Sequence, residues 1–163
     1  MKKIYFLYLV VLAALVTVSC KSTPVQMQEK ESEPAAAEEA AFYDAYQSVL
    51  PLILDGAERY VVKEGETLTK IAQAKYGRGN AFFFPLIMAA SKSQKMVNIA
   101  DPDLIEPGME LIIPNLDVNR NNPEIRARIK TLLLSVCNIY GDRSETRWSS
   151  ELIDGLSSTA NSL

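Results

Sequence analysis

The sequence predicts a chain that mixes helices with two short strands, ordered strand, helix, helix, strand at its centre and helical on both flanks. Two runs favouring strands, Tyr60-Val61-Val62 and Met109-Glu110-Leu111-Ile112-Ile113, are bounded by turn residues. Apolar residues between them recur at helical spacing. Beyond Pro114 a longer stripe, Ile125, Ile129, Leu132, Leu133, Val136 and Tyr140, predicts one face of a helix.

The chain opens with Lys2 and Lys3, an uncharged apolar run from Ile4 to Val18, and Ser19-Cys20. A basic start, an apolar core and a small residue at the cut are the marks of a signal peptide over residues 1–19. A retained single-span anchor is the other reading, but the run falls short of the about 20 residues a span needs. Val16-Thr17-Val18-Ser19-Cys20 resembles the bacterial lipoprotein signal, with Thr17 departing from the usual aliphatic residue. That resemblance implies lipid attachment at Cys20: a thioether to diacylglycerol, with acylation, by palmitate for example, of the freed amine. Each buried methylene adds about 0.8 kcal/mol, so two or three chains anchor a protein without a protein span. The expected location is the cell envelope, on a bacterial membrane and facing the periplasm.

Residues 20–40 carry the lipidated cysteine and a charged stretch rich in Ser, Pro and Ala without aromatics, which reads as a flexible tether. As a coil it reaches about 25 Å, and Ala and Glu favour helix at its end. Over 41–58, Phe42, Tyr46, Val49 and Ile53 predict one or two short helices, with a break at Pro51 and a stop at Asp55-Gly56. In the central block Thr67 is placed to cap a helix facing inward through Leu68, Ile71, Ala72 and Tyr76 and ending at Gly77. Asn80 is the expected cap of a second helix, with Pro85 in its first turn and Phe83, Leu86, Ile87 and Ala90 on its apolar face. Ser91 to Asp103 reads as a polar loop, and Ile105-Glu106-Pro107-Gly108 as a turn into the second strand. After a polar connector, Asn122-Pro123-Glu124 is a compact helix start. Residues 116–163 are expected to form a helical hairpin whose second member carries Trp148, Leu152, Ile153 and Leu156.

Composition narrows the chemistry. There are 17 basic and 20 acidic residues, a net charge of −3, and loss of Lys2 and Lys3 would make the chain more acidic still. No basic cluster offers phosphate a stripe, so a nucleic-acid partner is not expected. The absence of histidine removes Ser-His-Asp and Cys-His arrangements and most zinc-hydrolase sites. Asp101 and Asp103 flank Pro102 in a loop, where a turn or cap role outweighs an acid and base pair. Neither a metal nor another cofactor is expected, and the chain is not expected to be an enzyme. Cys137 reads as a buried free thiol, with an intermolecular disulfide as the alternative.

Two separated motifs then resemble one family. Tyr60 to Leu68, with Ile71-Ala72 and Tyr76-Gly77 following, looks like the opening of a LysM peptidoglycan-binding domain, and Pro102 to Pro114 looks like its close. The resemblance covers residues 59–115 and implies an α+β domain: β-α-α-β, a two-stranded antiparallel sheet with two helices on one face. The whole arrangement is similar to small spirochaetal lipoproteins with one such domain between helical flanks. The family implies a shallow groove for N-acetylglucosamine-containing glycan, built here by Gly65, Glu66, Thr67 and Leu68 of one loop and Asp103, Leu104 and Ile105 of another. A neutral sugar polymer needs exposed backbone polar groups and a small apolar pocket for the acetyl methyl, which such loops supply. Three departures stand out: Glu66 for the usual aspartate, Ser91 where asparagine is common, and a loop after the second helix about four residues longer. The implied partners are peptidoglycan and, through Cys20, a membrane. The alternative is an envelope scaffold whose helical flanks dock a protein partner.

Overall fold

The computed structural model of the chain describes residues 29–143 and 149–163. The expected signal peptide at 1–19, Cys20, the first part of the tether and Trp148 lie outside the described residues. Residues 34–163 pack as one unit. The architecture is α+β, with one two-stranded sheet and six α-helices among the described residues.

Helix α1 runs from Glu29 to Val49, so helix begins well inside the segment expected to be a tether. Its sequence, rich in Ala and Glu, explains this, and Pro51 stops it as expected. Phe42, Ala45, Tyr46 and Val49 are buried along one face. Over 41–58 the expected one or two short helices are the end of this one helix; Asp55-Gly56 forms a turn, Gly56 at φ 72°.

Strands β1, Glu58–Val61, and β2, Glu110–Ile113, pair antiparallel with Tyr60 opposite Leu111. Val62 continues the contact beyond β1, its N–H donating to Met109 O at 2.9 Å while its carbonyl accepts from Gly108 N. Helix α2, Leu68–Tyr76, starts at the expected cap, where Thr67 Oγ1 accepts from Lys70 N at 3.3 Å, and ends at Gly77. Leu68, Ile71 and Ala72 are buried, and the Tyr76 hydroxyl reaches across to donate to Pro114 O.

The second central helix departs from expectation at both ends. Asn80 does not cap it: Asn80 sits inside a 3-10 segment, Arg78–Phe83, and its Nδ2 donates back to Tyr76 O at 2.7 Å. Helix α3 proper is Phe84–Ser93, with Pro85 in the first turn, where no intrahelical donor is lost. Every residue from Phe84 to Ser91 is buried, as befits a helix enclosed on all sides by sheet, α2 and the flanks. Ser91 therefore belongs to the helix and not to a polar loop. Its hydroxyl donates to Ile87 O and accepts from Ile112 N at 2.8 Å, joining α3 to β2 and giving a sheet amide its partner.

The expected connector after Pro114 is a short helix, α4, Leu116–Asn121, capped by the Asn115 side chain. Within it Asn119 is fully buried; its amide accepts from Ile53 N and donates to Ile53 O and Asn115 O, pinning the segment after α1. Helix α5, Pro123–Asp142, begins at Asn122 as expected, with the Asn122 side chain accepting from Glu124 N and Ile125 N. All six residues of its predicted stripe are buried, so the stripe is core. Helix α6, Ser149–Asn161, lies against α5 and the 3-10 segment. Its approach relies on Gly155, where a Cβ would fall 2.1 Å from the Phe82 ring. Cys137 is buried between α5 and α6, its Sγ 3.5 Å from Ile153 O, and burial pushes its thiol up and keeps it protonated. Among the described residues no helix is long and apolar enough to cross a membrane.

Candidate functional site

The turn after β1 builds one side of the candidate site. Gly65 takes φ 74°, a conformation that a side chain would strain, and Glu66 N donates to Lys63 O at 3.2 Å. The Glu66 carboxylate accepts from the Tyr60 hydroxyl at 2.7 Å and from Lys63 N at 2.9 Å, so it closes its own turn. Those bonds, the one from Tyr60 first, hold Glu66 below the usual carboxylate range and push the Tyr60 phenol up. Lys70 Nζ donates to Gly65 O at 3.0 Å and braces the same turn.

A pH consequence follows from the sign of that shift. A carboxyl whose pKa is depressed on folding stabilises the fold above its ordinary range and stops doing so as pH falls through the depressed value. The Lys63 amide proton, followed by NMR, is expected to titrate with a midpoint below 4.5, the ordinary glutamate value. Glu66→Gln should abolish that titration, and a midpoint at or above 4.5 in the wild type would contradict the turn geometry.

The second side comes from a 3-10 turn, Pro102–Leu104, which Asp101 caps by accepting from Asp103 N at 2.9 Å. The flanking helices hold this turn on both sides. From α1, the Tyr46 hydroxyl donates to Ala100 O at 2.8 Å and Glu39 accepts from Ala100 N and Asp101 N. From the end of α5, the Tyr140 hydroxyl donates to Asp103 at 3.1 Å. Arg143 binds Asp101 at 2.6 Å, Asp103 and Glu38, while its guanidinium lies over the rings of Phe42 and Tyr140. Burial opposes the Arg143 charge, yet the Glu38 hydrogen bond and the fields of Asp101 and Asp103 outweigh it and hold the guanidinium above its ordinary value. Asp101, the more deeply buried partner, does not gain equally: burial raises its carboxyl despite Asp103 N–H and Arg143. Arg143 and Tyr140 were not legible as site residues, because Arg143 stands in a stretch, Gly141 to Ser144, that reads as a helix break.

Between the two loops lies a cleft of about 480 Å³, within the ordinary range for small-ligand sites. Of the seven expected residues it brings together Glu66, Thr67, Leu68, Asp103 and Ile105. Gly65 shapes the turn behind it. Leu104 does not line it and is 54% exposed. Leu68 is largely core, offering little of its surface to a ligand. Four further lining residues, Thr69, Lys70, Phe84 and Pro102, come from the same central block, whereas Tyr140 and Leu152 come from α5 and α6.

No curated protein and no solved structure matches the chain. One family model, that of the LysM domain, matches residues 60–77, from β1 through the first loop to the end of α2; the second loop lies beyond the match. A LysM domain is thus detected in the segment that builds the first side of the cleft; LysM is a binding module and not a catalytic one, and its presence suggests a glycan of the peptidoglycan or chitin type as ligand.

Proposed function

We propose that this chain is a non-catalytic, peptidoglycan-binding lipoprotein, anchored to a bacterial membrane through lipid on Cys20 and holding N-acetylglucosamine-containing glycan in the cleft. It would tether envelope to cell wall from the periplasmic side of the membrane. The observation that carries the reading is the single cleft shared by the LysM loop at Glu66–Lys70 and the turn at Pro102–Ile105. Anchoring supports it physically, because a membrane-held module meets the wall at raised effective concentration, so modest intrinsic affinity suffices. The alternative, an envelope scaffold docking a partner through its helical flanks, has less to work with, since the apolar stripe of α5 is spent on the core.

The test is sedimentation of the full chain, solubilised in detergent, with purified protein-free peptidoglycan. Thr69→Trp fills the cleft from α2. It removes the 2.9 Å hydroxyl contact between Thr69 and Thr67 but keeps Thr67, whose Oγ1 still accepts from Lys70 N. It is expected to weaken binding at least about tenfold, equivalent to about 1.4 kcal/mol, with the fold retained by circular dichroism. Absence of binding by the folded wild type would sink the glycan reading and bring the scaffold forward. Labelled palmitate should enter the wild type and not Cys20→Ser; label in neither would remove the anchor.

A further inference from the structure

The cleft has a third side that the LysM segment does not supply. Leu152 reaches it from α6 and Tyr140 from α5, both far along the chain from the matched residues 60–77. Tyr140 is almost fully buried, with its hydroxyl committed to Asp103, so it backs the cleft and has little surface to offer. Leu152 is only partly buried and packs on the rim of the core.

The placement of Leu152 follows from how α6 is seated. Leu152, Leu156 and Ala160 recur every four residues and so share one helix face. Leu156 and Ala160 are fully buried. Gly155, three residues after Leu152, lets the helix approach the Phe82 ring closer than any Cβ would permit. The inner face is thus fixed in the core at its later turns, while its first apolar residue meets the cleft.

We infer that the glycan site is composite: Leu152 of the C-terminal helix contacts the bound sugar, giving an apolar wall for an N-acetyl methyl group beside Ile105 and Pro102. This rests on the glycan reading of the cleft. Thr67, Thr69 and Lys70 line the same cleft, with hydroxyl and ammonium groups suited to sugar hydroxyls. A sugar that is polar at its edge and apolar at its acetyl group matches a cleft lined by both kinds of group. The helical flank then does more than support the module: it contributes contact surface to the ligand.

The experiment is an NMR titration of the full chain in detergent, with labelled leucine, isoleucine and threonine methyls, using the trimer of N-acetylglucosamine as probe. The expected result is saturable shifts at Thr69, Ile105 and Leu152, with a nuclear Overhauser contact between the Leu152 methyls and a sugar acetyl methyl. Leu152→Ala should weaken the trimer about tenfold, the effect of removing apolar contact from a ligand pocket. Shifts at Thr69 and Ile105 without any contact at Leu152, and unchanged affinity in Leu152→Ala, would overturn the composite site while leaving the glycan reading intact. No binding of the trimer or of peptidoglycan by the wild type would overturn both. The contact is read on the wild type, so the inference is decided even where Leu152→Ala loses stability.

Discussion

Alanine in place of Phe42 is expected to lower the unfolding free energy by about 3–5 kcal/mol, the usual cost of deleting a buried aromatic side chain. Phe42 has no exposed surface. Its ring stacks on Tyr46 with centroids 6.3 Å apart and meets Tyr140 edge-on at 5.6 Å. The Arg143 guanidinium covers it at 5.1 Å. Removal therefore opens a cavity and loosens two tyrosines whose hydroxyls hold the second turn, Tyr46 at Ala100 and Tyr140 at Asp103. Urea unfolding followed by circular dichroism measures the loss directly. Leu134→Ala is the matched control on α5, because Leu134 is exposed and a surface change of this kind stays within about 0.5 kcal/mol. A Phe42→Ala cost no larger than that of the control would mean that α1 is not packed against α5 and the second turn as described.

Elements governed by local rules were legible in the sequence. The Asn122-Pro123 start of α5, its stripe from Ile125 to Tyr140, the Thr67 cap of α2 and the Gly77 stop each depend on residues within a few positions of one another. What was not legible depends on partners distant in sequence. Ser91 reads as the first polar residue after an apolar helix, yet it is fully buried because Ile112, 21 positions later, donates to it. Asn80 has the side chain of a helix cap, but the backbone there turns through a 3-10 segment and α3 starts at Phe84. The polar connector 116–121 is a helix because Asn119, at its centre, finds its partner at Ile53.

The candidate site divides along the same line. Both loops were found from motifs, and the cleft joins them, but Leu104 does not line it while residues of the C-terminal helices do. Neither Tyr140 nor Leu152 carries a motif; each reads as one more apolar residue on a helical stripe. Only the packing of α5 and α6 against the central block turns them toward the cleft. A cleft recognised from one loop can thus be lined in part by flanks that no module boundary includes.

Arg143→Ala is expected to destabilise the chain by roughly 2–4 kcal/mol, somewhat under the cost of breaking a fully buried ion pair, because its side chain and those of its partners keep some contact with water. The guanidinium touches Glu38 on α1 and both aspartates of the second turn, at sequence separations of 105, 42 and 40. Alanine leaves those carboxylates facing one another, so the loss should grow with their ionisation. Asp101 supplies the sign. Its pKa is raised on folding, so the stability linked to its protonated form is fully present below the ordinary value of 3.8 and is lost as pH rises through the raised value. Arg143 limits that loss in the wild type, and without it Asp101 is pushed further up. The stability difference between wild type and Arg143→Ala should therefore be small near about pH 3 and widen toward about pH 7, across the range in which carboxylates ionise. Chemical unfolding across that range measures it. Arg143→Lys should recover part of the stability through its charge, but not the forked contact to several carboxylates at once. A difference independent of pH would mean that Arg143 acts by packing over Phe42 and Tyr140 alone, and that the acidic turn is held by its own backbone.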